Sequence, residues 1–302
     1  MSTPPTATRP APVVEQNTGP TAIAPTAQAS PTLPPTPTVT PEPTPTPLGP
    51  QAINGVALSD IVPLSPETAA HVGEIAALGQ QLGRDPRAFS KLGDSTILNP
   101  HFLGPFDAGT YNLGEFGHLQ ATIDQYAGSF ARHGVATHFG LHSWTVFDPM
   151  WADTEWCEPG EHPLACEVRL QNPSVLFVRL GSNDAGAPDG FRYNVKKVIE
   201  YCLENGIVPI IGTKADRFEG SNENNDILRA LAADYAVPLW DFDRLADTLP
   251  NRGLGEDGVH LVIDDLPHDY TDPAAFGRGH AMQDLSALIA LDQIRRLILS
   301  EE

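Results

Sequence analysis

Three short motifs in this 302-residue chain carry residue types that could perform nucleophilic chemistry. Gly93-Asp94-Ser95-Thr96 directly follows the apolar segment Ala88-Phe89-Ser90-Lys91-Leu92, which puts Ser95 at the exit of a predicted strand. A hydroxyl in that position can face substrate while its own backbone N–H stays free to bind an oxyanion. Gly181-Ser182-Asn183-Asp184 follows a second apolar run, and Asp257-Gly258-Val259-His260 lies near the C-terminus. A serine hydroxyl needs a base to take its proton, and the base needs a third group to fix its tautomer. Asp257 and His260 are three residues apart, so one turn of backbone can set the carboxylate against Nδ1 and leave Nε2 for Ser95. The Asn183 carboxamide and a glycine N–H at a second strand end would complete an oxyanion hole with the Ser95 N–H. Loss of one such donor typically raises a barrier by ~3 kcal/mol.

Each residue also has a plainer reading. Gly-Asp-Ser is ordinary turn composition, so Ser95 taken alone reads more readily as a cap, and the plainer reading of Asn183 is an Asx-turn residue capping the next helix. His268 and His280 compete with His260 for the role of base, which the carboxylate three residues upstream assigns to His260. Asp94, next to the serine in sequence, reads as a turn-stabilising acceptor rather than the catalytic acid.

The elements that must position these motifs alternate between strand and helix. Helices are predicted over 65–82, 119–133, 191–205, 222–235 and 285–299, and strands over 88–92, 135–141, 174–180, 207–212 and 237–241. Ser65-Pro66-Glu67 supplies a cap, a first-turn proline and an early acid. The run Ser-Val-Leu-Phe-Val-Arg-Leu at 174–180 is apolar as a buried parallel strand is. Such alternation predicts an α/β domain with a parallel sheet covered on both faces, whose ligands bind at the carboxyl ends of the strands. Ser95, Gly140, Asn183 and the Asp257/His260 pair then map to one edge of one sheet.

On these motifs the chain resembles extracellular bacterial members of the SGNH (GDSL-type) hydrolase superfamily. Gly93-Asp94-Ser95 is similar to that family's first block, Gly181-Ser182-Asn183-Asp184 to its third, and Asp257-Gly258-Val259-His260 to its fifth. The resemblance spans about 86–300. It implies a flavodoxin-like three-layer α/β/α sandwich, a Ser95/His260/Asp257 triad, and acyl-ester hydrolysis without a cofactor. The second block should offer an oxyanion glycine. Gly140, in Phe139-Gly140-Leu141, is the choice, with Gly114 as the competitor. The 42 residues between Gly140 and Asn183 exceed a compact crossover, so an insertion is expected over about 142–172. Within it, Cys157 and Cys166 bracket a turn-rich stretch of the kind a disulfide closes. Cys202 falls on a helix pattern and reads as a buried free thiol.

Residues 1–50 differ in kind from the rest. They hold 15 of the 30 prolines, 12 threonines and three charged residues, Arg9, Glu15 and Glu42. With no apolar face to bury, this tract is expected to be a disordered linker or stalk, reaching up to about 150 Å at ~3.1 Å per residue. It suggests a cell-surface tether and an extracellular location, with a signal or lipoprotein segment expected upstream. Residues 51–302 are expected to form the hydrolase domain. The net charge of −20 falls almost wholly on them, because the tract contributes only −1 (one Arg against two Glu). That excludes nucleic acid and anionic membranes as natural partners, and without a long apolar run no membrane-spanning helix is expected.

The expected substrate is a small-molecule or polysaccharide ester, short-chain or acetyl. Acyl transfer to an alcohol, and a catalytically weak binding module on the same fold, stay open beside hydrolysis. A sugar platform at Trp144, Trp151 and Trp156, and calcium at the acidic run 264–269, are the minor alternatives to core packing and a solvated loop.

Overall fold

Four parallel strands form the centre of the structure: β1 (Asp85–Gly93), β2 (Pro173–Arg179), β3 (Val208–Gly212) and β4 (Leu239–Trp240), hydrogen-bonded in that order. The computed structural model describes residues 49–98 and 100–299, so the expectation of a tract over 1–50 lies outside the described residues except for its last two. Register is fixed by pairs such as Gly93↔Arg179, Val175↔Val208 and Ile211↔Leu239. Every residue of β3 is buried, and all but one of β2, which is why both strands read as unbroken apolar runs.

Five longer helices cover the sheet: α1 (Pro66–Gln81), α2 (Pro163–Gln171), α3 (Pro188–Glu204), α4 (Glu223–Asp234) and α5 (Gly279–Leu299). Helices α1 and α5 pack on each other, as do α3 and α4, and each pair also meets the sheet. The result is the expected α/β/α layering around a parallel sheet. Helix α1 starts where its sequence signal lies: Ser65 Oγ accepts the Thr68 N–H at 3.0 Å, and Pro66 takes the first helical position. Helix α5 is buried on nearly every side, and its Ser286 hydroxyl accepts the Trp240 indole N–H at 2.9 Å. The core between layers is aromatic, with Phe89 meeting Tyr126, Phe130 and Phe177 edge-on. No helix among the described residues is long and apolar enough to cross a membrane.

Two expected elements differ. The strand predicted over 135–141 is reduced to a single parallel bridge, Gly93↔Thr137, on the outer side of β1. Its first amides turn to a side chain and the next to a local turn: Glu167 on α2 accepts the Val135 N–H at 2.6 Å, and the Gly134 carbonyl accepts both the N–H and the hydroxyl of Thr137, at 3.3 and 2.9 Å. The bridge still keeps the spatial order second-first-third-fourth-fifth, the flavodoxin-like order whose ligand crevice opens between the first and third strands. The helix predicted over 119–133 survives only as Gln120–Gln125, preceded by a 3-10 segment. The chain turns away at Gly128, which adopts a φ of +88° while the Asp107 carboxylate accepts its N–H and that of Ala131.

The segment expected as an insertion over 142–172 begins with two 3-10 turns and ends in α2, the crossover helix into β2. Cys157 and Cys166 are disulfide-bonded across it, with Cα atoms 5.3 Å apart. Cys202 is free and buried on α3, and burial pushes its thiol up to about 12.

Candidate active site

The end of β1 comes so close to β2 that only glycine fits. A Cβ on Gly93 would lie 2.3 Å from the Arg179 carbonyl oxygen. The chain then turns: the Asp94 carboxylate accepts the Thr96 N–H at 2.9 Å and its hydroxyl at 2.7 Å, closing a 3-10 turn over Ser95–Ile97. Ser95 is the first residue of that turn, where a backbone N–H has no partner within the turn. Asp94 is therefore a structural acceptor, fully buried, and burial raises its pKa. Beneath it the buried Arg179 guanidinium sits over the Trp240 and Phe242 rings, held down to about 10 by burial against the pull of Asp94 and Asp216.

The C-terminal motif reaches the serine from the loop before α5. His260 Nε2 is 2.7 Å from Ser95 Oγ, and His260 Nδ1 is 2.7 Å from Asp257 Oδ2. The other Asp257 oxygen accepts the backbone N–H groups of Val259 and His260, at 2.9 and 3.0 Å. These amides, the Val259 N–H first and then the His260 imidazole, hold the Asp257 carboxyl down to about 2. His268, the rival base, is buried against Asp284 at 3.0 Å.

The third motif lies beside β1 at the end of β2. Gly181 adopts a φ of +120°, a backbone conformation suited to glycine. Ser182 Oγ donates to Asp216 Oδ2 at 2.7 Å, and Asn183 Nδ2 donates to the Leu141 carbonyl at 3.3 Å. That contact brings Asn183 to the Phe139–Leu141 turn, where Gly140 has a φ of +70° and its N–H meets no acceptor among the described residues. The second amide hydrogen of Asn183 also remains available. Gly114, the competing donor, lies elsewhere: it packs against Tyr270 and Thr271, and its N–H is spent on Asn112 Oδ1 at 3.2 Å.

Sequence reasoning missed what pins this second turn. Asp184, buried, accepts the Ser143 N–H at 3.0 Å and its hydroxyl at 2.7 Å, tying the start of the 142–172 segment to the Gly-Ser-Asn-Asp loop. It also missed His101, and it offered His280 only as a rival base. Both line, with Ser95, Phe139, His260 and Ile263, a cleft of about 370 Å³. Larger hollows lie along Pro50 and Arg296 (about 440 Å³) and along Gly114 and Tyr270 (about 610 Å³), but neither joins a hydroxyl to an imidazole.

Two minor expectations can be placed. Trp144 stacks on His142 and meets Trp151 edge-on, while Trp151 packs against the core and Trp156 is exposed. In the acidic run, Asp264 pairs with Arg278 at 2.6 Å and Asp269 accepts the Thr271 hydroxyl at 2.6 Å. Among the described residues these carboxylates do not converge. The one cluster of metal-ligating types among the described residues is Cys157, Glu161 and Cys166, whose two sulfurs are bonded to each other.

No protein-family model and no curated protein matches the chain. Among solved structures, it is similar to a lipase/acylhydrolase from Enterococcus faecalis, with 17% identity, 70% of this chain and 96% of that one covered, and a TM-score of 0.43. It is also similar to a carbohydrate esterase family 3 protein from Talaromyces cellulolyticus (14% identity, 70% and 97% covered, TM-score 0.42). A third is a GDSL-like lipase from Bacteroides thetaiotaomicron (16% identity, 75% and 98% covered, TM-score 0.40). At such identities and TM-scores these likenesses decide neither fold nor activity. The strand order establishes the fold, and the side-chain geometry bears on the chemistry.

Proposed function

We propose that this protein is a serine ester hydrolase of the SGNH type. The observation that carries the reading is the chain of two 2.7 Å contacts from Ser95 Oγ through the His260 ring to Asp257. His260 Nε2 takes the Ser95 proton as Oγ bonds to the acyl carbon, and Asp257 holds the proton on Nδ1 and stabilises the imidazolium. The carbonyl oxygen gains charge against the Ser95 N–H, the Gly140 N–H and the Asn183 carboxamide. Collapse expels the alcohol, which takes the proton from His260. Water then attacks the acyl-enzyme with His260 as base, releasing the acid and restoring Ser95. No step calls on a cofactor.

The test is turnover of p-nitrophenyl acetate by wild type and Ser95→Ala. Wild type should hydrolyse it and the alanine variant should lose several orders of magnitude in kcat. Full activity in the variant would refute the assignment. The Cys157–Cys166 disulfide supports a location outside the reducing cytosol. Thiol titration of protein taken from its native compartment checks this: one reactive thiol after denaturation supports it, and three contradict it.

A further inference from the structure

The cleft that holds Ser95 also holds two imidazoles that ester hydrolysis does not use. His101 follows the Ser95 turn and His280 stands in the first turn of α5, with ring centroids 5.3 Å apart and planes inclined by 37°. Among the described residues neither ring has a hydrogen-bond partner, and His280 Nδ1 is buried without one. His280 Nδ1 is shut away from solvent, so the nitrogens left to meet an occupant of this part of the cleft are His280 Nε2 and those of His101, and covering one of them without pairing it costs on the order of 1–3 kcal/mol.

Burial holds His280 down to about 4, opposed by Asp284 and Asp264 and reinforced by His101 and His268. The ring is therefore neutral near pH 7, with one donor and one acceptor. An anionic group gains no ion pair from a neutral ring, and it meets Asp257 at the mouth of a protein of net charge −20. A bare alkyl chain covers the accessible nitrogens without pairing them. A hydroxyl both donates and accepts, as a neutral imidazole does. The remaining walls are apolar: Leu98 and Leu261 line the same cleft, with Phe139 and Ile263 exposed at its rim to cover the C–H surface of such a ligand.

We propose that His101 and His280 form a hydroxyl-recognition subsite within the Ser95 cleft. The preferred substrate is then a neutral ester that carries a free hydroxyl on its alcohol or its acyl part. The proposal rests on the ester-hydrolase reading, and its test separates the two. Two matched pairs are compared by kcat/KM: glycerol monoacetate against propyl acetate for the alcohol side, and p-nitrophenyl 3-hydroxybutyrate against p-nitrophenyl butyrate for the acyl side.

Wild type should favour the hydroxylated member of one pair by about tenfold or more. His280→Phe and His101→Phe should bring that ratio near one. His280→Gln, which keeps a donor and an acceptor, should preserve it. Because the ratio is internal to each variant, a loss of folded protein does not imitate the effect. A wild-type ratio near one in both pairs, or a ratio that survives both phenylalanine variants, overturns the subsite. Binding without turnover is read from the His101 and His280 ring-proton resonances of Ser95→Ala protein. They should move on titration with the hydroxylated ester of the favoured pair and stay in place with its partner, and equal response to both overturns the proposal. Shifts without any ester turnover by wild type would sink the hydrolase reading and leave the subsite standing.

Discussion

Replacing Asp257 by asparagine separates what this carboxylate does for His260 from what it does for its own turn. One oxygen accepts two backbone amides and the other accepts from His260 Nδ1 at 2.7 Å. Asparagine keeps an oxygen for the amides but sets an NH₂ group against Nδ1, and two donors cannot face each other at that distance. The imidazole must then carry its proton on Nε2, so it presents N–H rather than a lone pair to Ser95 Oγ and cannot act as base. For a buried aspartate this change costs about 10⁴ in kcat. Here the His260 and Asp257 side chains are 43% and 53% exposed, so water competes for Nδ1–H and solvates the imidazolium. The electrostatic share shrinks while the tautomer share persists. We expect a loss of about 10² to 10³ in kcat, or about 3–4 kcal/mol of barrier, with KM little changed. Because the turn amides keep an acceptor, the melting temperature should stay within about 2 °C. The assay is p-nitrophenyl acetate hydrolysis across the neutral range beside a thermal melt. With Asp257 ionised down to about pH 2, any acid limb above about pH 4 belongs to another group. An asparagine variant that kept more than about a tenth of wild-type kcat would refute the tautomer argument.

Other consequences concern the supports of the site. Asp184→Ala leaves the Ser143 amide and hydroxyl donors unpaired in a buried place. It should lower stability by about 2–4 kcal/mol in denaturant titration and slow turnover, since the Phe139–Leu141 turn leads directly into Ser143. Asp184→Asn, which keeps an acceptor, should lose less. His280 gives a pH signature: burial pushes it from 6.5 down to about 4, so between these values the unfolded chain holds a proton that the folded chain refuses. Its contribution is intact above pH 6.5 and is lost as pH falls toward 4, by at most about 3 kcal/mol. Denaturation midpoints of His280→Phe should therefore fall less steeply than those of wild type over that range, and parallel curves would contradict this.

How much was legible in the sequence depended on whether the deciding interaction was local. Helix α1 was readable because Ser65 and Pro66 cap it from within one turn, and β2 and β3 because burial on both faces demands an unbroken apolar run. The strand expected at 135–141 was not, because a side chain 32 residues away, Glu167, takes its first amide. The helix expected to reach 133 was cut by Gly128, whose turn is fixed by Asp107, a residue outside the apolar pattern. In the candidate site, Asp257 and His260 meet within one turn, so their pairing was visible in their spacing. The contact of His260 with Ser95 spans 165 residues and could be expected only from the order of motifs along a parallel sheet. The Asp184–Ser143 tie and the His101–His280 pair join residues from separate elements and leave no local pattern.

The most direct test of the account is covalent capture of the nucleophile. Native protein treated with a fluorophosphonate should gain one adduct, mapped by peptide mass spectrometry to Ser95. The adduct should fail to form in Ser95→Ala and form far more slowly in His260→Ala, where no base takes the Ser95 proton. Folded wild-type protein that remains unlabelled at Ser95, or is labelled there equally fast without His260, would contradict the account.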